Sequence, residues 1–260
     1  MLNRRKWSFD FLQVDKTPSK RRSLIILNQP FTLELFLRLW DATDWRCCAD
    51  GGANRLFDLL QQTAKAHASS ERVIDGPCDF LPDLIKGDLD SIRPDVRDFY
   101  ASKGVPVVHD HDQNSTDLMK CVVEVQTREA QQSEQNIIII LGGLSGRLDQ
   151  TIHTLQLLHK LRKERSDVYA VTDDNIGWVL DEGSHIIEID HSIVGKTCGL
   201  LPVGIESTML TTEGLQWNLT NTESSFNGMV STSNAVVASE VLVSTTKPIF
   251  WCIVLAPRQG

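Results

Sequence analysis

The densest chemistry in the chain lies in Lys86-Gly87-Asp88-Leu89-Asp90-Ser91-Ile92. Apolar Leu84 and Ile85 lead into this stretch and read as the end of a short strand. In extended backbone, residues two apart point to the same side, so Asp88 and Asp90 are expected to share a face. Two aligned carboxylates repel each other. A divalent cation turns that repulsion into a binding site, and Mg²⁺ takes one or two carboxylates together with substrate phosphates. Gly87 lets the backbone bend at the strand end and leaves room beside it. An isolated Asp-x-Asp is also what a solvated turn looks like, so the surrounding residues decide.

Three more polar loops follow strand-like runs. They are Asp50-Gly51-Gly52-Ala53-Asn54, the 109–115 loop containing Asp112, and Gly142-Gly143-Leu144-Ser145-Gly146-Arg147. The glycine pairs either bring backbone N–H groups to phosphate oxygens ahead of helix N-termini or make tight turns. Asp117 opens a helical stretch, where the dipole favours an acid, with Lys120 three residues on. Arg147, Lys86 and Lys120 are the cations at hand. There is no G-x-x-x-x-G-K-[ST], no H-R-D or D-F-G set and no G-x-S-x-G elbow, which excludes P-loop, protein-kinase and serine-hydrolase chemistry. His109, His111, His153, His159 and His185 read as surface or core histidines. Trp217, set among polar residues and followed by Asn218, is either a stacking platform for a flat cationic ring or a core residue.

The elements that must position these residues follow from periodicity. Short apolar runs at 24–27, 46–49, 83–86, 105–108, 137–141 and 168–171 read as strands. Helical spacing lies between them: Leu33, Phe36, Leu37 and Trp40; Leu56, Leu59 and Leu60; Leu118, Cys121, Val122 and Val125; Ile152, Leu155, Leu158 and Leu161. Pro94 suits the first turn of a helix over 94–103. Residues 61–80 are polar and irregular and read as a surface excursion. Alternating strands and helices predict an open, mainly parallel α/β sheet over 23–180. Ligands bind such sheets outside the carboxyl ends of the strands, which gathers the Asp50, Asp88, Asp112 and Gly142 loops on one edge. Beyond 180 only short alternating runs remain, and 181–260 is expected to be an all-β sandwich.

The chain has 260 residues, 41% of them hydrophobic, and a net charge of −8. That is enough for one large or two ordinary domains, and the charge argues against sequence-independent nucleic-acid binding. The longest aliphatic run, Ile137 to Leu141, is too short to span a membrane. Six cysteines without zinc spacing or a C-x-x-C pair are the usage of a reducing compartment, read here as the cytoplasm. Residues 1–22 carry seven basic and two acidic side chains. They read as a flexible basic arm, dispensable for folding and activity, with an organellar transit role as the alternative.

Four ordered blocks resemble thiamine pyrophosphokinases: 48–55 (Cys-Ala-Asp-Gly-Gly-Ala-Asn-Arg), 87–92 (Gly-Asp-Leu-Asp-Ser-Ile), 112–117 (Asp-Gln-Asn-Ser-Thr-Asp) and 142–150 (Gly-Gly-Leu-Ser-Gly-Arg-Leu-Asp-Gln). Stretches 198–204, 214–219 and 230–234 are similar to that family too, so the resemblance runs from about Leu24 to about Leu255. No single block is specific, but their order is. The resemblance implies a homodimer that transfers a pyrophosphoryl group from ATP to the hydroxyethyl oxygen of thiamine, with thiamine bound between subunits. It implies catalytic and Mg²⁺-binding roles for Asp88, Asp90 and Asp117. Asp50, Gly51, Gly52, Gln113, Thr116, Gly142, Gly143, Arg147 and Asp149 would line the nucleotide and phosphate region. Trp217, Asn218, Ser231, Ser233 and Asn234 would face thiamine. The alternatives are an Asp-x-Asp glycosyltransferase acting on a nucleotide sugar, which leaves the Trp217 block without a role, and a non-catalytic thiamine or nucleotide sensor.

Overall fold

The structure is a computed structural model that describes residues 4–13, 20–66, 73–132, 134–165 and 167–256. The chain divides into two compact units, Thr17–Gly146 and Arg147–Gly260, the latter completed by Met1–Lys16. The first described strand, β1 (Arg5–Trp7), therefore belongs to the C-terminal unit.

The α/β unit contains β2 (Arg22–Ile26), α1 (Leu33–Asp41), β3 (Trp45–Ala49), α2 (Gly52–Ala66), β4 (Leu84–Gly87), α3 (Pro94–Ser102), β5 (Val107–His109), α4 (Asp117–Gln132) and β6 (Ile137–Leu141). Its strands lie in the order β6-β2-β3-β4-β5, all parallel. All of β2 and all but the first residue of β6 are buried, as expected of parallel strands covered on both faces by crossover helices. Within this unit the path begins at β2, steps outward to β5, then returns to β6 on the other side. The order reverses between β2 and β6, and that reversal opens a crevice at their carboxyl ends. The expected helices are present, α1 burying Leu35, Phe36, Leu39 and Trp40. The expected excursion is shorter: α2 continues through residue 66, Phe80 is buried, and 67–72 lie outside the described residues.

The β unit contains α5 (Leu148–Leu161), β7 (Val168–Val171), β8 (Asn175–Leu180), β9 (Gly183–Glu188), β10 (Val194–Leu201), β11 (Ser207–Glu213), β12 (Thr222–Ser225), β13 (Ser231–Ala235), β14 (Glu240–Thr245) and β15 (Ile249–Leu255). One sheet has the order β1-β9-β14-β11-β12 and the other runs β13-β10-β15-β8-β7. Rings from both sheets meet in the core: Trp7 of β1 lies 5.5 Å from Trp178 of β8 and 6.1 Å from Tyr169 of β7, centroid to centroid. The division into compact units falls at 146/147. Only three residues separate β7 from β8, which pairs with it antiparallel, so β7 enters a hairpin instead of another parallel crossover.

The basic N-terminal segment is not an arm over residues 4–13. β1 pairs in parallel with β9, and Trp7, Phe9, Phe11 and Leu12 are buried. The Trp7 indole N–H donates to His185 Nδ1 at 3.1 Å, and Arg5 pairs with Asp167 at 2.9 Å. The strand ends at Trp7, and Phe11 and Leu12 lie in a 3-10 turn, Asp10–Leu12. Burial of these apolar side chains outweighs the basic charge, which sits on Arg4, Arg5 and Lys6 ahead of them. Residues 1–3 and 14–19 of the expected arm lie outside the described residues.

Candidate active site

Three carboxylates converge at the carboxyl ends of the parallel strands. One oxygen each from Asp50, Asp88 and Asp117 lies within 4.8 Å of the other two. Asp50 follows β3 in the left-handed region, at φ 41°. It is 1% exposed, and its two oxygens accept the N–H groups of Ser91 (2.9 Å) and Ile92 (3.0 Å). Asp50 thereby ties the turn after β4 to the end of β3. Burial pushes its carboxyl above the ordinary range, against those two hydrogen bonds. Asp88 follows β4 and donates its N–H to Asp117 Oδ1 at 3.1 Å. Asp117 is the first residue of α4 and pairs with buried Lys120 at 3.4 Å. Its carboxyl is also raised, chiefly by burial.

Gly87 is set by close approach. A Cβ there would lie 2.6 Å from Asp50 Cβ and 2.9 Å from Asp117 Oδ1, so any side chain would push two of the three acids apart. The other expectation for this stretch fails. The backbone is not extended between Asp88 and Asp90, because Leu89 adopts φ 61°. Asp90 turns to solvent, where its N–H caps Asp88 Oδ1 (3.2 Å) and its Oδ1 accepts from Ser91 Oγ (2.8 Å). The trio that the structure assembles is Asp50, Asp88 and Asp117, with Asp90 one turn away.

The glycine loops also differ from a simple phosphate cradle. A Cβ on Gly52 would meet Ile26 O at 2.2 Å, and one on Gly51 would meet Asn28 Nδ2 at 2.4 Å. Both glycines let the start of α2 pack against the end of β2. Gly142 and Gly143 have φ 106° and 87°, but the Gly143 N–H is taken by Gln29 Oε1 at 2.8 Å. The same Oε1 accepts from Ser145 Oγ (3.1 Å), and Gln29 Nε2 donates to Ser145 O (2.6 Å). Gln29 therefore spans the crevice between β2 and β6 and holds the glycine-rich loop. Sequence reasoning passed over it. Its signal was only its place in the loop after β2.

Thr116 caps α4, its Oγ1 accepting from Met119 N at 3.4 Å, and Gln113 is exposed in the preceding loop. Lys86 pairs with Glu124 (3.3 Å) and Asp110 (3.7 Å). Arg147 and Asp149, exposed at the start of α5, pair with each other at 2.6 Å. That contact lowers the carboxyl and raises the guanidinium.

In the β unit, Trp217 lies in the loop between β11 and β12 and is 57% exposed, so the core reading of this residue is excluded. Asn218 Oδ1 accepts from Leu215 N (3.1 Å) and Thr212 Oγ1 (3.4 Å), closing that loop. Ser231 and Asn234 of β13 are buried, and Ser233 is exposed at φ 53°.

A carboxylate cluster at the carboxyl edge of a parallel sheet, built around a glycine that only close approach explains, is the equipment of a phosphoryl-transfer enzyme. Comparison with known proteins identifies the family. Residues 36–170 match the family described as "Thiamin pyrophosphokinase, catalytic domain", and 184–250 match "Thiamin pyrophosphokinase, vitamin B1 binding domain". The chain is 40% identical over 239 residues to thiamine pyrophosphokinase 3 of Oryza sativa subsp. japonica, covering 90% of this chain and 86% of that protein. It is 38% identical over 250 residues to thiamine pyrophosphokinase 1 of Arabidopsis thaliana, covering 93% and 90%. The crystal structure of yeast thiamin pyrophosphokinase superposes with a TM-score of 0.82 at 26% identity, covering 98% of this chain and 92% of that one. The chain belongs to the thiamine pyrophosphokinase family.

Proposed function

We propose that the protein transfers a pyrophosphoryl group from ATP to thiamine, giving thiamine diphosphate and AMP. The observation that carries this reading is the convergence of Asp50, Asp88 and Asp117 in a chain of this family. Neither the nucleotide-sugar glycosyltransferase nor the non-catalytic sensor finds support among the relatives.

The donor set fits a hard divalent cation such as Mg²⁺. One oxygen from each of three carboxylates lies within 4.8 Å of the others, and Lys120 pairs with one of them, Asp117. Asp50, Asp88 and Asp117 would hold the ion, which would neutralise charge on the transferred group. Asp90, one turn away and exposed, keeps a place in the site through the resemblance. The protein's own part is positioning. Asp50 fixes the 88–92 turn through two N–H groups, and Asp117 fixes Asp88 through a third. Phosphoryl transfer needs little more than such alignment and charge stabilisation. Asp117, or a metal-polarised carboxylate beside it, would take the hydroxyl proton of thiamine. Gln29 sets the glycine-rich loop for the nucleotide.

Trp217 is assigned to thiamine. The thiazolium carries a permanent positive charge and has no N–H to donate, so an indole face suits it better than a carboxylate alone. The protein is assigned as a homodimer of the cytoplasm. Six free cysteines support a reducing compartment, and no described helix is long and apolar enough to cross a membrane.

The test is incubation with thiamine, ATP and Mg²⁺, read for both products. AMP and thiamine diphosphate should form one to one. Formation of ADP and thiamine monophosphate, or binding without turnover, would refute the proposal.

A further inference from the structure

We infer that Asn234 is not a thiamine ligand but the positioning residue that fixes the backbone carrying the exposed Trp217 indole, an inference that rests on the thiamine reading of Trp217. Asn234 is 3% exposed, and its amide is fully occupied within the β unit. Oδ1 accepts the Trp217 N–H at 3.2 Å and the Ala235 N–H at 2.8 Å. Nδ2 donates to Trp217 O at 2.8 Å and to Ser231 Oγ at 3.4 Å. A primary amide offers two acceptor sites and two donors, so none remains for a ligand.

The grip is bidentate: one side chain holds both the N–H and the C=O of Trp217. The neighbouring backbone is fixed as well. Gln216 N donates to Ala235 O at 2.7 Å, and Leu219 N donates to Thr212 Oγ1 at 2.9 Å. Ser233 sits at φ 53°, a region that a non-glycine residue occupies only where its surroundings impose it. That turn places Ser233 outward and Asn234 inward on adjacent positions of β13. The result is a large apolar ring held in solvent on an immobilised backbone. A ring with no ligand gains nothing from that arrangement, whereas a ring that binds one avoids an ordering cost on binding. The ligand that suits the exposed face is a flat cationic heteroaromatic ring.

The experiment is a double-mutant cycle on the full-length enzyme, with KM for thiamine, KM for ATP and kcat measured for W217A, N234A and W217A/N234A. Trp217→Ala should raise the thiamine KM about threefold to thirtyfold. Asn234→Ala should raise it by a similar or smaller factor, with the ATP KM unchanged. The double variant should be no worse than W217A, because Asn234 then has no indole to position. If N234A multiplies the thiamine KM equally in both backgrounds, Asn234 acts on thiamine directly and the inference fails while the thiamine reading stands. If N234A has no effect where W217A does, the inference fails too. If W217A itself leaves the thiamine KM unchanged, the thiamine reading falls. Should N234A not fold, Asn234→Asp, which keeps the acceptor and loses the donor to Trp217 O, is read in the same cycle.

Discussion

The carboxylate cluster of the α/β unit and the Trp217 loop of the β unit solve opposite problems. The first must hold like charges together, and it does so by burial and close approach. Asp50 is buried, Gly87 admits no Cβ, and two strand ends and the start of α4 share the load of positioning. The second must keep one apolar ring out of the core, and it does so by tying down backbone while leaving the side chain in solvent. Tolerance should differ accordingly. The cluster should fail on loss of a single carboxylate, and the loop should weaken by degrees.

The largest effect is expected at the cluster. Asp88→Asn and Asp117→Asn should each lower kcat by more than about a thousandfold, the order of loss when a central electrostatic group is removed. The melting temperature of Asp88→Asn should stay near that of the parent, and that of Asp117→Asn should fall because buried Lys120 loses its partner. Near-parental kcat at low Mg²⁺ in either variant would remove the metal role. Asp90→Asn sharpens the same point. It should cost at least tenfold in kcat if Asp90 serves the site, and an unchanged enzyme would confine the site to Asp50, Asp88 and Asp117.

Removal of residues 1–13 is the counterpart for the β unit. Trp7, Phe9 and Phe11 are each almost fully buried, and burying one large apolar side chain contributes roughly 1.5–3 kcal/mol. Their sum is a large share of the roughly 5–15 kcal/mol that stabilises a folded protein. Deletion should therefore give insoluble or unfolded protein. A soluble, fully active truncation would return the segment to the status of an arm.

The smallest effect concerns pH. His185 is buried, its Nε2 bonded to Asp181 O and its Nδ1 accepting from Trp7. Burial lowers its pKa below the ordinary 6.5. The unfolded chain then binds a proton that the folded one refuses. This contribution to stability is whole above about pH 6.5 and is lost as pH falls through that value. His153 and His159 shift the same way for the same reason. Melting should be lower at pH 5.5 than at pH 7.5, and His185→Gln should narrow the gap. An equal gap in the variant would remove His185 from the account.

Much of this was legible in the sequence, where pattern and physics agreed. Uninterrupted apolar runs such as Ile137–Leu141 gave buried parallel strands, and helical spacing gave α1, α4 and α5. Gly87 was readable because a glycine at a strand end, directly before Asp88, leaves room beside the backbone. The misses share a cause. Asp90 was aligned with Asp88 on the assumption of extended backbone, and one left-handed residue, Leu89, breaks it. β8 was not separated from its surroundings, because Asn175-Ile176-Gly177-Trp178 alternates imperfectly and its partner β15 lies far along the chain. The N-terminal segment was hidden by charge, and its apolar residues Trp7, Phe9, Phe11 and Leu12 were the better signal. Gln29 and Asn234 act through hydrogen bonds to residues 17 to 116 positions away, which no local pattern reports.

Crossed kinetics on two variants test the division of labour most directly. Gln29→Ala removes three hydrogen bonds to the glycine-rich loop, and at roughly 0.5–1.5 kcal/mol for a typical hydrogen bond it should raise the ATP KM about tenfold. Trp217→Ala removes a cation–π contact of about 0.5–2 kcal/mol and should raise the thiamine KM about threefold to thirtyfold. Each variant should leave the other substrate's KM within about twofold. If either variant raises both KM values in the same proportion, nucleotide and thiamine recognition are not divided between these two regions, and the account is wrong.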